Sequence, residues 1–378
     1  MFSNRGHWSG HLRNTKSSSP YQSSSASSSS SSRSSMSVSP GYNDADAVVL
    51  IPGASGPAGI NTIKSLKMAN FGGKIVATDS SPLSAGFFMA DNGEVISEAN
   101  HYSFVDRLFE IVKKFDVKVL MPSSGFDIYP YSENRDKLAE TGAYAVVSDR
   151  ATLEICRDKT LTYQNLSDNF EVPFTTTDPE KIGAFPVIAK PRFGKGSRDI
   201  LKIEDESDLK YVSSRFVDMI FQEFLPGTEY TVDVLSDLDK KPLMAVPRVR
   251  IQTKGGISTK GKITLNPDLE TNCMKIAEHL GIRGPSCIQM KESPEGVIKL
   301  IEVNPRLGGG TIFTALAGAN FPAMILDMVE GKEISPMPKV SEITVIRYFE
   351  EIVIRKEKEI GLDTAAESNV LSKTHSPG

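Results

Sequence analysis

The chain has 378 residues, 39% hydrophobic and 24% charged, with a formal net charge of −4; the length allows two or three cores, and the charge gives no electrostatic case for coating nucleic acid. A membrane span needs about 18 uninterrupted apolar residues, and the best candidate, FPAMILDMV at 321–329, is broken by Asp327. Cys156, Cys273 and Cys287 lie far apart and no histidine falls at zinc-ligand spacing with them, which argues against a structural zinc and for a reducing compartment.

Residues 17–39 hold 16 serines in 23 positions, too little apolar surface to offset chain entropy, so residues 1–45 read as a disordered Ser-rich tail. The first 43 residues carry Arg5, Arg13, Lys16 and Arg33 and no acidic residue. A flexible tail implies a cytoplasmic protein, and a transit peptide of that composition an organellar one. From residue 46 the pattern is strand (47–53), helix (Ile60, Ile63, Leu66), strand (74–79), helix (103–114), strand (117–122), helix (131–140) and strand (144–148). Such alternation predicts a parallel sheet covered on both faces over 46–150. Beyond it come one helix at 150–167, a hairpin at 186–203, a helix at 206–215, strands at 219–225, 229–237 and 243–253, a helix at 268–280, and strands at 286–293 and 297–305. This is α+β with antiparallel ladders over 151–335. Residues 336–378 hold ITVIRYFEEIVI, one or two further strands, and a tail that is polar and loose from about residue 363.

Four motifs stand out. GASGPAG, with Gly53, Gly56 and Gly59 between strand and helix and Asp79 ending the next strand, has the outline of a dinucleotide turn. A short-chain reductase also needs a Tyr with Lys four positions on, and none of the tyrosines has one. In PVIAKPRFGKGSRDI, Lys190 ends an apolar strand and a glycine-rich basic loop follows, a tip able to fold over a triphosphate while the anchored lysine holds phosphate oxygens. In QEFLPGTEYTVDVL, Gln222 and Glu223 end a strand and Glu229 opens the next, which offers backbone groups to an adenine and a carboxylate to a ribose. In IEVNPRLGGG, Glu302 and Asn304 share one strand face while Ile301 and Val303 take the other. With Gln289 alongside, they are oxygen ligands suited to magnesium, and Arg306 stands where charge develops in transfer. Each motif also has a plain structural reading, as a tight turn, a solvated basic tip, a charged hairpin or a glycine turn.

Taken in order, DKTLTYQNL, the Lys190 hairpin, QEFLPGTEYTVD, Gln289 and IEVNPR resemble the ATP-grasp superfamily, in its carbamoyl-phosphate-synthase-like branch of stand-alone ligases, over residues 46–335. The resemblance implies a Rossmann-like pre-ATP-grasp domain ahead of a two-subdomain ATP-grasp fold, with ATP and Mg2+ as cofactors. It implies that Lys159 and Lys190 contact ATP phosphates and that Gly194, Lys195, Gly196 and Ser197 form the lid. Gln222, Glu223 and the backbone at Leu225 would border adenine, Glu229 hold the ribose, Gln289, Glu302 and Asn304 bind the metal, and Arg306, with Lys190, act at the reacting centre. Arg248, Arg250 and Lys254 in RVRIQTKGGISTKGK offer cations to an acid substrate; a solvated basic loop is the other reading. The implied activity is ADP-forming ligation of a carboxylic acid to an amine through an acyl phosphate, with small-molecule partners and a homodimer among the allowed assemblies. A carboxylate- or bicarbonate-phosphorylating subunit and a non-catalytic ATP-binding module are the alternatives. The chain holds one such unit and no internal repeat, so a complete two-half synthase is not expected.

Overall fold

The structure, a computed structural model, describes residues 47–354 apart from Lys195, Ser197, Ser335 and Pro336. The Ser-rich tail, two of the lid residues and the tail after Ile354 therefore lie outside the described residues. The first layer runs β1 (Val48–Pro52), α1 (Pro57–Met68), β2 (Lys74–Asp79), α2 (Ala85–Met89), β3 (Asn92–Val95), α3 (Phe104–Phe115), β4 (Val119–Leu120), α4 (Ile128–Glu133), α5 (Arg135–Glu140) and β5 (Tyr144–Ala145). Its strands form a parallel sheet in the order β3-β2-β1-β4-β5. β1 is buried along its whole length because side chains alternate between two cores. Val48 and Leu50 meet Phe104, Leu108 and Ile111 of α3. Val49 and Ile51 meet Ile63 and Leu66 of α1, in a cluster that runs on to Phe313, Phe321 and Ile325 near the C-terminal end.

Next come α6 (Arg150–Arg157), α7 (Lys159–Leu166), β6 (Thr175–Thr176), β7 (Val187–Pro191), β8 (Leu201–Ile203), α8 (Glu206–Arg215) and β9 (Met219–Glu223). These strands make a small antiparallel sheet in the order β6-β9-β7-β8. The single helix expected at 150–167 is broken at Asp158, which is extended (φ −95, ψ 107) and caps α7 by accepting from the backbone N–H of Thr160 and Leu161. The break sets Lys159 at the start of a new helix.

A larger sheet follows: β10 (Glu229–Ser236), β11 (Pro242–Lys254), β12 (Ile257–Ile263), α9 (Pro267–His279), β13 (Pro285–Glu292), β14 (Ile298–Asn304), α10 (Thr311–Leu316), α11 (Phe321–Val329) and β15 (Thr344–Ile346). Its order is β14-β13-β10-β11-β12-β15, antiparallel throughout. The stretch RVRIQTKGGISTKGK, for which a solvated basic loop was the other reading, is a hairpin. Gly255 and Gly256 both take positive φ (56 and 75) between the paired Lys254 and Ile257, the two-residue turn whose twist suits adjoining strands. Of the one or two strands expected after 336, the described residues show one, β15, which pairs with β12.

Register gives this sheet two unlike faces. Val232, Val234, Ile288, Met290 and Val303 pack in one core cluster with Leu269, Cys273 and Ile276 of α9. The opposite face carries Glu229, Thr231 and Asp233 of β10, Arg248 and Arg250 of β11, Cys287 and Gln289 of β13, and Glu302 and Asn304 of β14. The strand carrying Glu302 is irregular. Gln289 pairs with Glu302 and Met290 with Leu300, so Ile301 is an extra residue with no partner in the ladder. Consequently Leu300, and not Ile301, fills the core beside Val303.

Candidate active site

Two lysines approach the polar face of the large sheet. Lys190, near the end of β7 and 4% exposed, donates to Gln222 Oε1 (2.8 Å) and Tyr163 Oη (3.1 Å), with the Ile301 carbonyl at 3.5 Å. Burial drives its pKa down to about 8, against the opposing pull of Glu302. Lys159, at the start of α7, donates to the Gly194 carbonyl (3.2 Å) and lies 3.9 Å from Glu302 Oε1. Burial lowers its pKa too, with Glu302 working against the shift. The structure thus brings Lys159, Lys190, Gly194 and Glu302 together from two sheets and a helix.

Gln289 and Glu302 face each other across β13 and β14, with Gln289 Nε2 donating to Glu302 Oε2 at 3.0 Å. Asn304 Oδ1 accepts from Arg306 at 3.2 Å, and Arg306 also donates to the Leu307 carbonyl at 2.9 Å. One carboxylate and two amide oxygens, from two neighbouring strands on one sheet face, form a hard donor set that would suit a magnesium ion. The oxygens lie among cations: Lys159 near Glu302, Arg250 on Gln289 Oε1 and Arg306 on Asn304 Oδ1.

Other expected residues have protein partners. Gln222 also donates to Thr175 Oγ1 (2.9 Å), and Leu225 is 2% exposed. Glu223 accepts from Lys299 at 2.8 Å and from the Phe174 N–H at 3.1 Å. Arg250 joins Glu229 (2.7 Å), Gln289 Oε1 (3.1 Å) and the Gly256 carbonyl (2.7 Å), and so links the expected ribose carboxylate to the expected metal ligands. Arg248 lies inside the protein, 1% exposed, with its guanidinium on Asp233 (2.9 Å) and over the Phe313 ring. Lys254 and Gly196 are exposed, at the two hairpin tips.

The glycine turn has a different use from the one its outline implied. Asp79 accepts from the backbone N–H of Ser55 (2.7 Å) and Ser81 (3.0 Å), so its carboxylate braces the turn. A Cβ on Gly59 would overlap the Gly53 carbonyl, which is why glycine stands there. The helix it opens supports the loop after β14: Asn61 Nδ2 donates to the Gly309 carbonyl at 2.7 Å.

Three residues escaped the sequence reading. Tyr163 lies inside the DKTLTYQNL motif but was given no role there. Asp233, bonded by Arg248 and by Thr314 Oγ1 (2.6 Å), is buried under the glycine loop. Arg347, just past β15, donates to the Gly309 carbonyl and stacks over Phe313 with 4.8 Å to the ring centroid, with no carboxylate bonded to it among the described residues. Burial, and then the neighbouring Arg248, lower its pKa to about 10. Isolated hydrophobic and basic letters gave no signal for the first and last; the VD after the paired glutamates was a signal left unused.

Comparisons with known proteins agree with this fold. Residues 215–352 match the family described as ATP-grasp in the biosynthetic pathway with Ter operon, and residues 49–146 match the PylC-like N-terminal domain. A carbamoyl-phosphate synthase from Methanobrevibacter smithii is 24% identical over 291 residues, 65% of this chain and 77% of that protein. The N5-carboxyaminoimidazole synthetase of Staphylococcus aureus, complexed with ADP, superposes with a TM-score of 0.62 at 14% identity, covering 79% of this chain and 81% of that one. Biotin carboxylase from Campylobacter jejuni, in a β-γ-ATP complex, superposes with a TM-score of 0.61 at 17% identity, over 78% and 73%. The two matched segments, read with the shared fold, bear out the resemblance to the ATP-grasp superfamily of ADP-forming ligases, with a PylC-like segment ahead of the ATP-grasp one.

Proposed function

We propose that the chain phosphorylates a small carboxylic acid with ATP and joins the acyl group to an amine, with residues 46–150 and 151–335 as its two working domains. One observation carries this reading. Lys190 is a buried cation whose hydrogen-bond partners, Gln222, Tyr163 and the Ile301 carbonyl, are all neutral. An ammonium taken out of water without a counter-anion is costly, and phosphate oxygens would relieve that cost. Lys159 holds a second phosphate position, and the exposed backbone at Gly194 and Gly196 covers the chain of phosphates from the hairpin side.

Glu229 takes the ribose once Arg250 releases it, and Gln222, Glu223 and Leu225 border the base. Gln289, Glu302 and Asn304 would hold magnesium, which would supply charge neutralisation on the phosphates. Arg306, just before the Gly308–Gly310 loop, and Arg347, bonded to its Gly309 carbonyl, orient the acid so that its oxygen lies in line with the terminal phosphate. Positioning and charge neutralisation suffice for the transfer, so no side-chain nucleophile is required. The three buried cysteines are unpaired, which supports a reducing compartment such as the cytoplasm, and no helix among the described residues is long and apolar enough to cross a membrane.

The test is ADP release from Mg-ATP screened across amino acids and small carboxylates. One acid should stimulate release, and Glu302→Ala should abolish that stimulation while far-UV circular dichroism stays that of the wild type. Stimulated release undiminished in Glu302→Ala would refute the metal assignment.

A further inference from the structure

Lys190 sits at the meeting point of three elements, and one hydroxyl ties them together. Tyr163 lies four residues after Lys159 on α7, so both side chains share one helix face. Its ring is buried, with 5% of the residue exposed, and the Lys190 ammonium lies 5.6 Å from the ring centroid. Its hydroxyl accepts from Lys190 Nζ at 3.1 Å and donates to the Ile301 carbonyl at 2.5 Å. That carbonyl belongs to the bulged residue of β14, which has no partner in the ladder. A bulge beside the residue after it, Glu302, re-aims the strand and leaves an acceptor that a hydroxyl must satisfy.

We infer that Tyr163 is the positioning residue of Lys190: its hydroxyl fixes the ammonium against the bulge at Ile301 and so sets the spacing between the lysine side and the Glu302 side of the nucleotide site. The inference rests on the proposed role of Lys190 as a phosphate ligand. Geometry carries it. Lys190 is a primary amine with three donors on a flexible stem; Gln222 supplies one short acceptor from the neighbouring strand, and Tyr163 supplies the second from the helix that also bears Lys159. Burial raises the Tyr163 pKa, so the phenol keeps the proton it donates to Ile301. The phenolate plays no part, and Tyr163 itself touches no substrate.

The experiment compares binding of Mg-ATP and of AMP by calorimetry to the full chain, as wild type, Tyr163→Phe, Lys190→Met and the double variant. Phenylalanine keeps the ring and removes one oxygen. Tyr163→Phe is expected to weaken Mg-ATP by about tenfold, the scale of one hydrogen bond to a charged group, and to leave AMP, which lacks the outer phosphates, within about twofold. In the Lys190→Met background the same change should cost Mg-ATP nothing further, as a double-mutant cycle requires of a residue acting through its partner. Equal losses for ATP and AMP, an undiminished loss in the Lys190→Met background, no loss at all, or a Tyr163→Phe chain that fails to fold would each overturn the assignment. A Lys190→Met chain that binds Mg-ATP as the wild type does would instead overturn the phosphate role of Lys190 itself.

Discussion

Asp233→Ala tests whether Arg248 is a substrate cation or part of the fold. Asp233 and Arg248 are each 1% exposed, and their charged atoms lie 2.9 Å apart. Two unit charges at that distance attract by about 6 kcal/mol at an effective dielectric of about 20, but desolvating both ions consumes most of the gain. The net contribution of the intact pair is therefore small. Breaking it is another matter, because the guanidinium then stays buried with Arg347 close by and no anion to face either. Asp233→Ala should lower the free energy of unfolding by about 3–5 kcal/mol, whereas Asp233→Leu with Arg248→Met, which removes both charges, should lose far less. Urea denaturation followed by far-UV circular dichroism reads both variants. A loss below about 1 kcal/mol for Asp233→Ala, the range of exposed ion pairs, would show that Arg248 is reached by solvent, as its strand pattern alone suggested. A double variant as damaged as the single one would refute the desolvation argument.

Two further predictions concern charges at other places in the fold. Asp149 bonds Lys240 (2.5 Å) and Arg135 (2.6 Å), with Arg283 at 3.7 Å, and the Lys240 and Arg135 bonds bring its pKa down to about 2. A carboxyl lowered on folding stabilises the protein fully above its unfolded value and loses that stabilisation as pH falls through the folded one. Asp149→Asn should therefore cost about 1 kcal/mol near neutrality, after discounting for its partial exposure, and the difference from wild type should shrink as pH drops from about 4 toward about 2; a difference constant with pH in denaturant titrations would contradict this. Arg347→Met should raise the KM for the stimulating acid about tenfold or more, as loss of one charge-assisted carboxylate contact implies, while Mg-ATP affinity measured by calorimetry changes little; an unchanged KM removes Arg347 from the acid site.

What the sequence made legible was periodic, and what it hid depended on partners distant in the chain. β1, β2 and α3 were read correctly because Val48, Leu50, Leu108 and Ile111 repeat at the spacing of a strand or helix with a buried face. β3 was missed because NGEV is an edge strand, intermediate or exposed along its length, with no apolar alternation to detect. The break at Asp158 was invisible because the residues around it continue a helical pattern; only the capping of Thr160 and Leu161, with Arg192 held on the same carboxylate at 2.5 Å, discloses it. In the site, residue types pointed to phosphate and metal chemistry, but burial and commitment did not show. Arg248 and Arg250 alternate along β11 as equals in sequence; one is sealed against Asp233 and the other reaches Glu229 and Gln289. The bulge at Ile301 is likewise silent, since IEVN reads as unbroken alternation and only the register with Met290 and Gln289 reveals the extra residue.

The two sides of the site are fastened unequally, and the asymmetry follows from where the chain places its hydrogen bonds. The loop after β14 is held from every direction: Leu307 N–H on the Pro122 carbonyl at 2.9 Å, Asn61 and Arg347 on the Gly309 carbonyl, and the Arg248 guanidinium so close to Gly310 that a methyl group there would overlap it. That loop joins the core that runs from β1 to α11, so the side proposed for the acid moves only if much of the protein moves with it. The hairpin side is different. Phe193, Gly194, Gly196, Arg198 and Ile200 are exposed, and its near end is tied by the Arg192 side-chain bond to Asp158, the Lys159 bond to the Gly194 carbonyl and the Arg192 N–H on the Asp218 carbonyl at 2.7 Å. Both side-chain ties run to the start of α7, the helix that also bears Tyr163 and through it Lys190. An acyl phosphate has to be shielded from water, and shielding needs one part that yields and one that does not. In the function proposed above, the hairpin is the yielding part, and α7 is the element through which its position is felt at both lysines.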